Sequence, residues 1–478
     1  MQVVLIKEDK YTYDIHSLYK AFYPVEDVKV ILENDLEKIK DVKNQNDDIT
    51  ITNVDVSVSK NELKKSIYLE LSSKTGKSLP WGNLTGIRPT RIVMNLIEEG
   101  KSDDEIVNYM KDTYCVSDEK INLSLKIAHR EKEILRCIDY KNGYSLYLGI
   151  PFCPTTCLYC SFTSYPIGAF SSIVDDYLTC LEKEIDYVAE SFKDKTLDTV
   201  YIGGGTPTTL EPYQLERLIG YLREKLDFSN VKEFTVESGR PDSITRDKLK
   251  VMKKMGVTRI SVNPQTMRDE TLKLIGRRHT VAQLVDAYNM AREEGFDNIN
   301  MDIILGLPGE GACDVAYTME EIKKLAPDDL TVHSLAIKRG SKLAEIMELA
   351  KQRNKDNSGS SLYDAKDILD DIKNTEEMME IALNGAKDMG LEPYYLYRQK
   401  NISGNFENTG YARKGKAGIY NILINEEVQS IVALGAGTVT KRVYGYDGRI
   451  ERCDNVKDVK LYMEQIDEMI DRKRKLFL

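Results

Sequence analysis

Short apolar runs alternate with longer amphipathic ones from residue 144 to residue 385, and this rhythm constrains the fold more than any other feature. Runs with strand character lie at 145–150, 199–202, 233–237, 259–262, 298–304 and 329–336. Runs with helical periodicity lie at 173–192, 214–225, 247–255, 281–294 and 315–325. Parallel strands need long crossover connections, usually helical, and those crossovers are right-handed. Repeated strand–helix units therefore predict an α/β fold built on a parallel sheet. Six units suit a partial, open TIM-like (β/α)6 barrel better than a flat doubly wound sheet.

The flanks read differently. Residues 1–140 open with strand-like runs at 2–6, 28–32, 49–58 and 67–71, of which 49–58 alternates almost strictly between apolar and polar. Helical patterns follow at 91–99, 103–113 and 118–136, and Ser102-Asp-Asp-Glu105 is a capping-box signature. This part is expected to be an N-terminal α+β domain. The core would occupy 144–385, and the polar stretch 354–361 within it is expected to be a loop. A C-terminal substrate-side domain would span 387–478, closed by a helix over 456–473.

Length and charge narrow the class of function. The chain has 478 residues, enough for two or three domains, and a net charge of −10. That charge disfavours a general binder of nucleic-acid backbone. No run of eighteen apolar residues exists, so no membrane span is expected. The start, Met1-Gln-Val-Val-Leu5, has no charged region followed by an apolar one and a cleavage site, so a cytoplasmic, reducing location is expected.

Three of the eight cysteines stand together, Cys153, Cys157 and Cys160, with spacing C-x3-C-x2-C. Zinc sites usually take four ligands from paired units, and neither Cys137 nor Cys180 lies in a second pair. A disulfide does not fit a reducing compartment. Three thiolates would hold three irons of a 4Fe-4S cluster and leave the fourth iron open for chemistry. The remaining cysteines, Cys115, Cys137, Cys180, Cys313 and Cys453, read as isolated packing residues.

In a parallel barrel the chemistry gathers at the carboxyl ends of the strands. The first strand run is followed by the cysteine loop and the second by Gly203-Gly-Gly-Thr-Pro207. The third ends in Glu237, the fourth in Asn263-Pro-Gln265, the fifth carries Asp302, and the sixth ends near Ser334-Leu-Ala336. Arg277 follows within Gly276-Arg-Arg-His-Thr280. Each alone reads most simply as a cap, turn or ion-pair partner, and His279 and His333 read as structural. Together they form one converging pocket. Its ligand needs an amino-acid end for the open iron and polar groups for Gln265 and Asp302, and S-adenosyl-L-methionine has both.

The chain resembles the radical S-adenosylmethionine (radical SAM) superfamily, and within it the oxygen-independent coproporphyrinogen III oxidase group, closest to the coproporphyrinogen dehydrogenase branch called HemZ. The likeness rests on Tyr147-Leu-Gly-Ile-Pro-Phe-Cys153 with Cys157 and Cys160, on Gly203-Gly-Gly-Thr-Pro207, on Glu237, and on Arg259-Ile-Ser-Val-Asn-Pro-Gln265. It extends to Asp302-Ile-Ile-Leu-Gly-Leu-Pro308 and Gly435-Ala-Gly437, and Leu84-Thr-Gly-Ile-Arg-Pro-Thr90 looks like the HemZ-type amino-terminal extension. The resemblance implies a radical SAM barrel with a HemN-like C-terminal extension.

It also implies roles. Cys153, Cys157 and Cys160 would bind the cluster, and Tyr147 would lie beside the sulfonium. Gly204, Gly205 and Thr206 would contact the methionine end. Glu237, Gln265, Arg277 and Asp302 would bind polar groups of S-adenosylmethionine, with Ala336 and the Phe162 backbone near adenine. A one-electron donor such as flavodoxin or ferredoxin would reduce the cluster, and a 5′-deoxyadenosyl radical would form. That radical would take hydrogen from a propionate of a tetrapyrrole, coproporphyrinogen III. Loss of an electron and carbon dioxide would leave the vinyl group of protoporphyrinogen IX. Arg88, Arg91 and Arg398 are candidates for holding the other propionates.

The chain departs from its relatives at three places. Gly149 stands where well-characterised oxidases have His, and Phe162 where they have a fourth Cys. Glu407-Asn-Thr-Gly-Tyr-Ala412 stands where the heme-chaperone branch, HemW, has His-Asn-x-x-Tyr-Trp. The expected activity is therefore coproporphyrinogen oxidation, with heme binding or another radical reaction such as methyl transfer as alternatives.

Overall fold

A computed structural model describes residues 1–24, 26–35, 37, 38, 40, 49–86, 88–338, 340–356, 372, 374–399, 406–445 and 448–478. The chain forms two compact units. One comprises Met1–His129 with Leu396–Glu407, the other Arg130–Tyr395 with Asn408–Leu478. The stretch after residue 387 thus contributes to both.

In the first unit, β1 (Gln2–Ile6) lies between β2 (Val28–Leu32) and β3 (Thr50–Val54), and all three are parallel. Helices α1 (Thr12–Phe22) and α2 (Lys60–Thr75) cover one face, burying Phe22, Leu63, Ile67, Tyr68 and Leu71 with Val4 and Ile6. Residues 67–71, expected as a strand, lie inside α2. The Ser59–Glu62 capping box starts that helix and Gly76, at φ 67°, stops it. Its apolar residues 63, 67 and 71 recur every four, which is helical spacing rather than strand alternation.

Helices α3 (Pro89–Glu98), α4 (Asp103–Tyr114) and α5 (Asp118–Ile134) follow, and α4 begins with the Ser102–Glu105 capping box that its sequence announces. A second core gathers Trp81, Val93, Ile106, Met110, Ile121 and Leu396. Glu407 joins it, accepting hydrogen bonds from Trp81 Nε1 and Lys120 Nζ, both at 2.8 Å.

The second unit contains the expected parallel sheet. Strands β4 (Gly143–Ile150), β5 (Thr196–Gly204), β6 (Glu233–Val236), β7 (Arg259–Ser261), β8 (Ile299–Leu305) and β9 (Asp329–Ser334) are neighbours in chain order, each parallel to the next. Helices α6 (Val174–Ser191), α7 (Pro212–Lys225), α8 (Arg246–Lys254), α9 (Val281–Glu293) and α10 (Ala312–Leu325) make the crossovers. Of the polar stretch 354–361, residues 354–356 finish a helix, Lys342–Asp356, and the rest lies outside the described residues.

The chain then extends the sheet on both sides. After α11 (Glu376–Asp388), β10 (Glu392–Tyr397) and β11 (Asn408–Ala412) add beyond β9. Helix α12 (Ile419–Glu426) leads to β12 (Ile431–Leu434), β13 (Val439–Tyr444) and β14 (Arg449–Asp454), which add beyond β4. Among the described strands no pairing closes the sheet.

The last helix, α13 (Ile466–Phe477), is fixed by a buried carboxylate on α6. Glu184 accepts from Lys473 Nζ at 2.6 Å, Tyr462 OH at 2.6 Å, Gly435 N at 2.7 Å and Asn455 Nδ2 at 3.0 Å. Both charged partners are essentially inaccessible to water. Removing one member of such a pair strands the other charge in a low-dielectric interior, at about 3–5 kcal/mol. Lys473→Ala is therefore expected to lower unfolding stability by that amount. The urea denaturation midpoint reads it, and a loss below about 1 kcal/mol would contradict the arrangement.

Candidate active site

Register places the site. The pairing of β4 with β5 sets Tyr147 opposite Tyr201, Gly149 opposite Gly203 and Ile150 opposite Gly204. The cysteine loop leaves β4 exactly where the glycine turn leaves β5, and backbone bonds join them: Gly205 N donates to Ile150 O at 2.8 Å and Thr206 N to Phe152 O at 2.7 Å.

The glycines are needed there. A Cβ on Gly205 would sit 2.6 Å from Phe152 O and 3.0 Å from Cys153 Sγ, and Gly204 adopts φ 108°. Thr206 Oγ1 lies 3.4 Å from Cys153 Sγ. A short parallel pairing of Phe152–Cys153 with Tyr165–Pro166 closes the loop's neck.

The loop is also held from the far side of the sheet. Leu158 N donates to Ile275 O at 2.9 Å, and Thr155 Oγ1 to Gly276 O at 3.0 Å. Arg240, buried just past β6, donates from Nη1 to Thr155 O at 3.2 Å and to Cys157 Sγ at 3.6 Å. Its Nη2 reaches Thr155 Oγ1 at 3.1 Å, and Asp242 grips the guanidinium at both Nε and Nη2. Burial pushes the Cys153 thiol up to about 11 and raises Cys160, with Thr206 and Arg240 opposing the rise at Cys153 and Lys338 and Arg277 at Cys160.

Three tyrosines stack beside these strand ends. Tyr201 lies 4.4 Å from Tyr420 of α12, and Tyr147 lies 6.0 Å from Tyr201 and 6.1 Å from Tyr420, measured between ring centres. The N-terminus of α12 is pinned beneath the sheet by Glu233, which accepts from Ile419 N at 2.5 Å. Tyr201 OH donates to Glu237 at 2.5 Å. Gly203 leaves the room for this pair, since its Cβ would lie 2.8 Å from the Tyr201 ring and 3.0 Å from the Glu237 carboxyl.

The next strand ends form a second connected group. Asp302 accepts from Asn263 Nδ2 at 2.6 Å and Asn300 Nδ2 at 2.8 Å. Gln265 takes φ 65°, unusual for a residue with a side chain, while its backbone bridges Asp302 and Ile304. Arg277, also buried, donates to Asn263 O at 2.8 Å and Gly239 O at 3.1 Å. His279 stays neutral, because burial and neighbouring Arg277 push it down to about 3.

Two expected positions stand apart from these networks. Ala336 is buried two residues past β9, and Phe162 is 68% exposed, with Lys338 Nζ 5.2 Å from its ring centre. Of the candidate arginines, Arg398 belongs to the first unit, where it donates to Leu84 O at 2.7 Å and lies over the Trp81 ring. Arg88 and Arg91, half-buried at the start of α3, belong to the same unit. Sequence reasoning missed Tyr201, Asn263's bonding role, Arg240 and Tyr420. Tyr201 was within reach, because it shares a strand face with Gly203, but Tyr420 carries no local signal.

Comparison with known proteins identifies the family. Residues 147–322 match the Radical SAM superfamily. The chain is 41% identical over 414 residues to the "Oxygen-independent coproporphyrinogen-III oxidase-like protein HemZ" of Bacillus subtilis (strain 168), covering 86% of this chain and 79% of that protein. It is 31% identical over 325 residues to the "Heme chaperone HemW" of the same organism, covering 68% and 76%. Among solved structures, the coproporphyrinogen III oxidase HemN of Escherichia coli, a radical SAM enzyme, superposes with a TM-score of 0.51 at 23% identity, covering 71% and 73%. The chain thus has the radical SAM fold. It belongs to the HemZ, HemW and HemN family of that superfamily, with HemZ-type relatedness running along most of its length.

The Glu237–Tyr201 pair gives a pH signature. Burial pushes the Glu237 carboxyl up from 4.5 to about 7, with Asp302 repulsion adding to the rise and the hydrogen bond from Tyr201 opposing it. The folded chain then holds this proton more tightly than the unfolded chain. The resulting stability is present in full below about 4.5 and is lost as pH rises through about 7. Asp329, pushed up to about 6 by burial, acts in the same direction. Glu237→Gln, neutral throughout, is expected to flatten part of the stability decline between about pH 4.5 and 7, measured by urea denaturation. Parallel curves for variant and parent would show that Glu237 does not hold that proton.

Proposed function

We propose that this chain is a radical SAM oxidoreductase that converts propionate side chains of coproporphyrinogen III to vinyl groups. The observation that carries the reading is the HemZ relatedness at 41% over most of the chain. The cofactors would be a 4Fe-4S cluster and S-adenosylmethionine.

The residues fit these groups. The three cysteines share one loop, as the three thiolates of a 4Fe-4S site must. Gly205 packs against the loop so closely that a single added carbon would collide with it. The buried Arg240 guanidinium donates to Cys157 Sγ at 3.6 Å, a charged donor set against one of the three candidate ligand sulfurs.

Cys153, Cys157 and Cys160 would bind the irons, exchanging their protons for metal. When bound, the cluster and S-adenosylmethionine together supply a carbon-centred radical able to abstract hydrogen from an unactivated C–H bond. The chain's own part is to bind, orient and exclude water. Gly204, Gly205 and Thr206 offer backbone and a hydroxyl to the methionine end. Glu237, Gln265, Arg277 and Asp302 offer polar groups from successive strand ends, held by Tyr201, Asn263 and Asn300. Tyr147 would face the sulfonium, backed by Tyr201 and Tyr420. Ala336 and the Phe162 backbone would border adenine.

A protein that delivers one electron at a time, of the flavodoxin or ferredoxin kind, would serve as reductant, and the substrate would be a tetrapyrrole. No described helix is long and apolar enough to cross a membrane. The reading places the work in the cytoplasm.

A second reading, heme handling, draws on the HemW likeness. The residue standing at the HemW histidine is Glu407. Both its oxygens are committed within the fold, to Trp81 and Lys120, so it suits a structural role better than an iron-binding one.

Anaerobic incubation with coproporphyrinogen III, S-adenosylmethionine and a low-potential reductant is expected to yield protoporphyrinogen IX. 5′-Deoxyadenosine without that product would sink the substrate assignment. Saturable one-to-one heme binding in place of turnover would favour the chaperone reading. Cys157→Ala is expected to lose the brown colour and nearly all bound iron, and an unchanged iron content would refute the cluster assignment.

A further inference from the structure

The cluster reading above is the premise here. We infer that Arg240 sets the reduction potential of the cluster through its hydrogen bond to the Cys157 sulfur. Arg240 is a positioning and tuning residue, and it is not expected to touch substrate.

The geometry is specific. Arg240 is 4% exposed, and its planar guanidinium is gripped at two nitrogens by Asp242, at 2.9 and 2.7 Å. That grip fixes the plane and leaves Nη1 aimed at the loop, 3.6 Å from Cys157 Sγ and 3.2 Å from Thr155 O. Cys157 is itself buried, so little water screens the interaction. The nearby cation Arg277 spends its bonds on Gly239 O, Asn263 O and Tyr159 OH, and His279 stays neutral. Asp242 is the anion that partly offsets Arg240.

Hydrogen bonds to cluster sulfurs and the surrounding charge are what a protein uses to set such potentials. Reduction adds one negative charge to the cluster. A fixed cation donating to a ligand sulfur stabilises the reduced form more than the oxidised one and raises the midpoint. The electron comes from a protein one-electron donor, which is oxidised by one electron as the cluster is reduced by one. No bond forms or breaks in that step. The arrangement therefore brings the cluster within reach of a moderately reducing donor.

The test is a redox titration of the reconstituted protein, followed by electron paramagnetic resonance of the reduced cluster and normalised to iron content. Arg240→Gln is expected to lower the reduction equilibrium constant about tenfold, which is about 59 mV for one electron. Arg240→Lys, which keeps a charge and loses the fork, is expected to recover part of that shift. A variant with full iron content and an unchanged midpoint would overturn the inference. If Arg240→Gln cannot hold iron, Asp242→Asn decides. It leaves the guanidinium and removes its offsetting anion, so the midpoint should rise, and an unchanged midpoint would again overturn the idea. A parent protein that takes up no cluster at all would instead refute the cluster reading itself.

Discussion

The parallel pairing of β4 with β5 is the constraint on which the site depends. It sets two strand ends side by side, so a loop bearing three thiols and a turn of three glycines leave the sheet together. Two backbone hydrogen bonds, from Gly205 and Thr206 to the neck of the cysteine loop, lock them in contact. The same register stacks Tyr147 against Tyr201, which in turn carries Glu237. Slipping the pairing by one residue would turn each of these side chains to the opposite face of the sheet.

Charge is buried at several places in this unit, and two of these clusters join segments distant in sequence. Glu184 on α6 gathers Lys473, Asn455, Tyr462 and the Gly435 amide. Arg259 on β7 meets Asp329 on β9 at 2.6 Å, and Tyr394 donates to the same carboxylate at 2.7 Å. Such pairs add little net stability against apolar alternatives, because desolvation offsets the attraction. Their effect is to make one arrangement far better than its competitors, since any misplacement strands a charge.

Much of the core was legible in the sequence. All six parallel strands fall on the apolar runs, because a strand buried on both faces reads as an unbroken apolar segment. The thiols, the glycine turn and Glu237 were legible from their positions at strand ends. Residues 67–71 misled, since Ile67-Tyr-Leu-Glu-Leu71 suits a strand until Ser59 and Gly76 are recognised as the two ends of one helix. The division of the chain after residue 387 was hidden for a different reason. Leu396 and Glu407 join the first unit through a core and a carboxylate whose partners, Trp81 and Lys120, lie far away in sequence.

What the sequence determined by itself was the family and the fold class: the cysteine motif is local, and strand–helix alternation is periodic, so both survive without coordinates. What only the tertiary structure decided was which side chains meet around the strand ends. Arg240 on Cys157, Tyr201 on Glu237 and Tyr420 beneath them are contacts across the sheet, set by register and by crossovers. Nothing in the neighbouring residues of the chain encodes them, because each partner is chosen by packing in three dimensions.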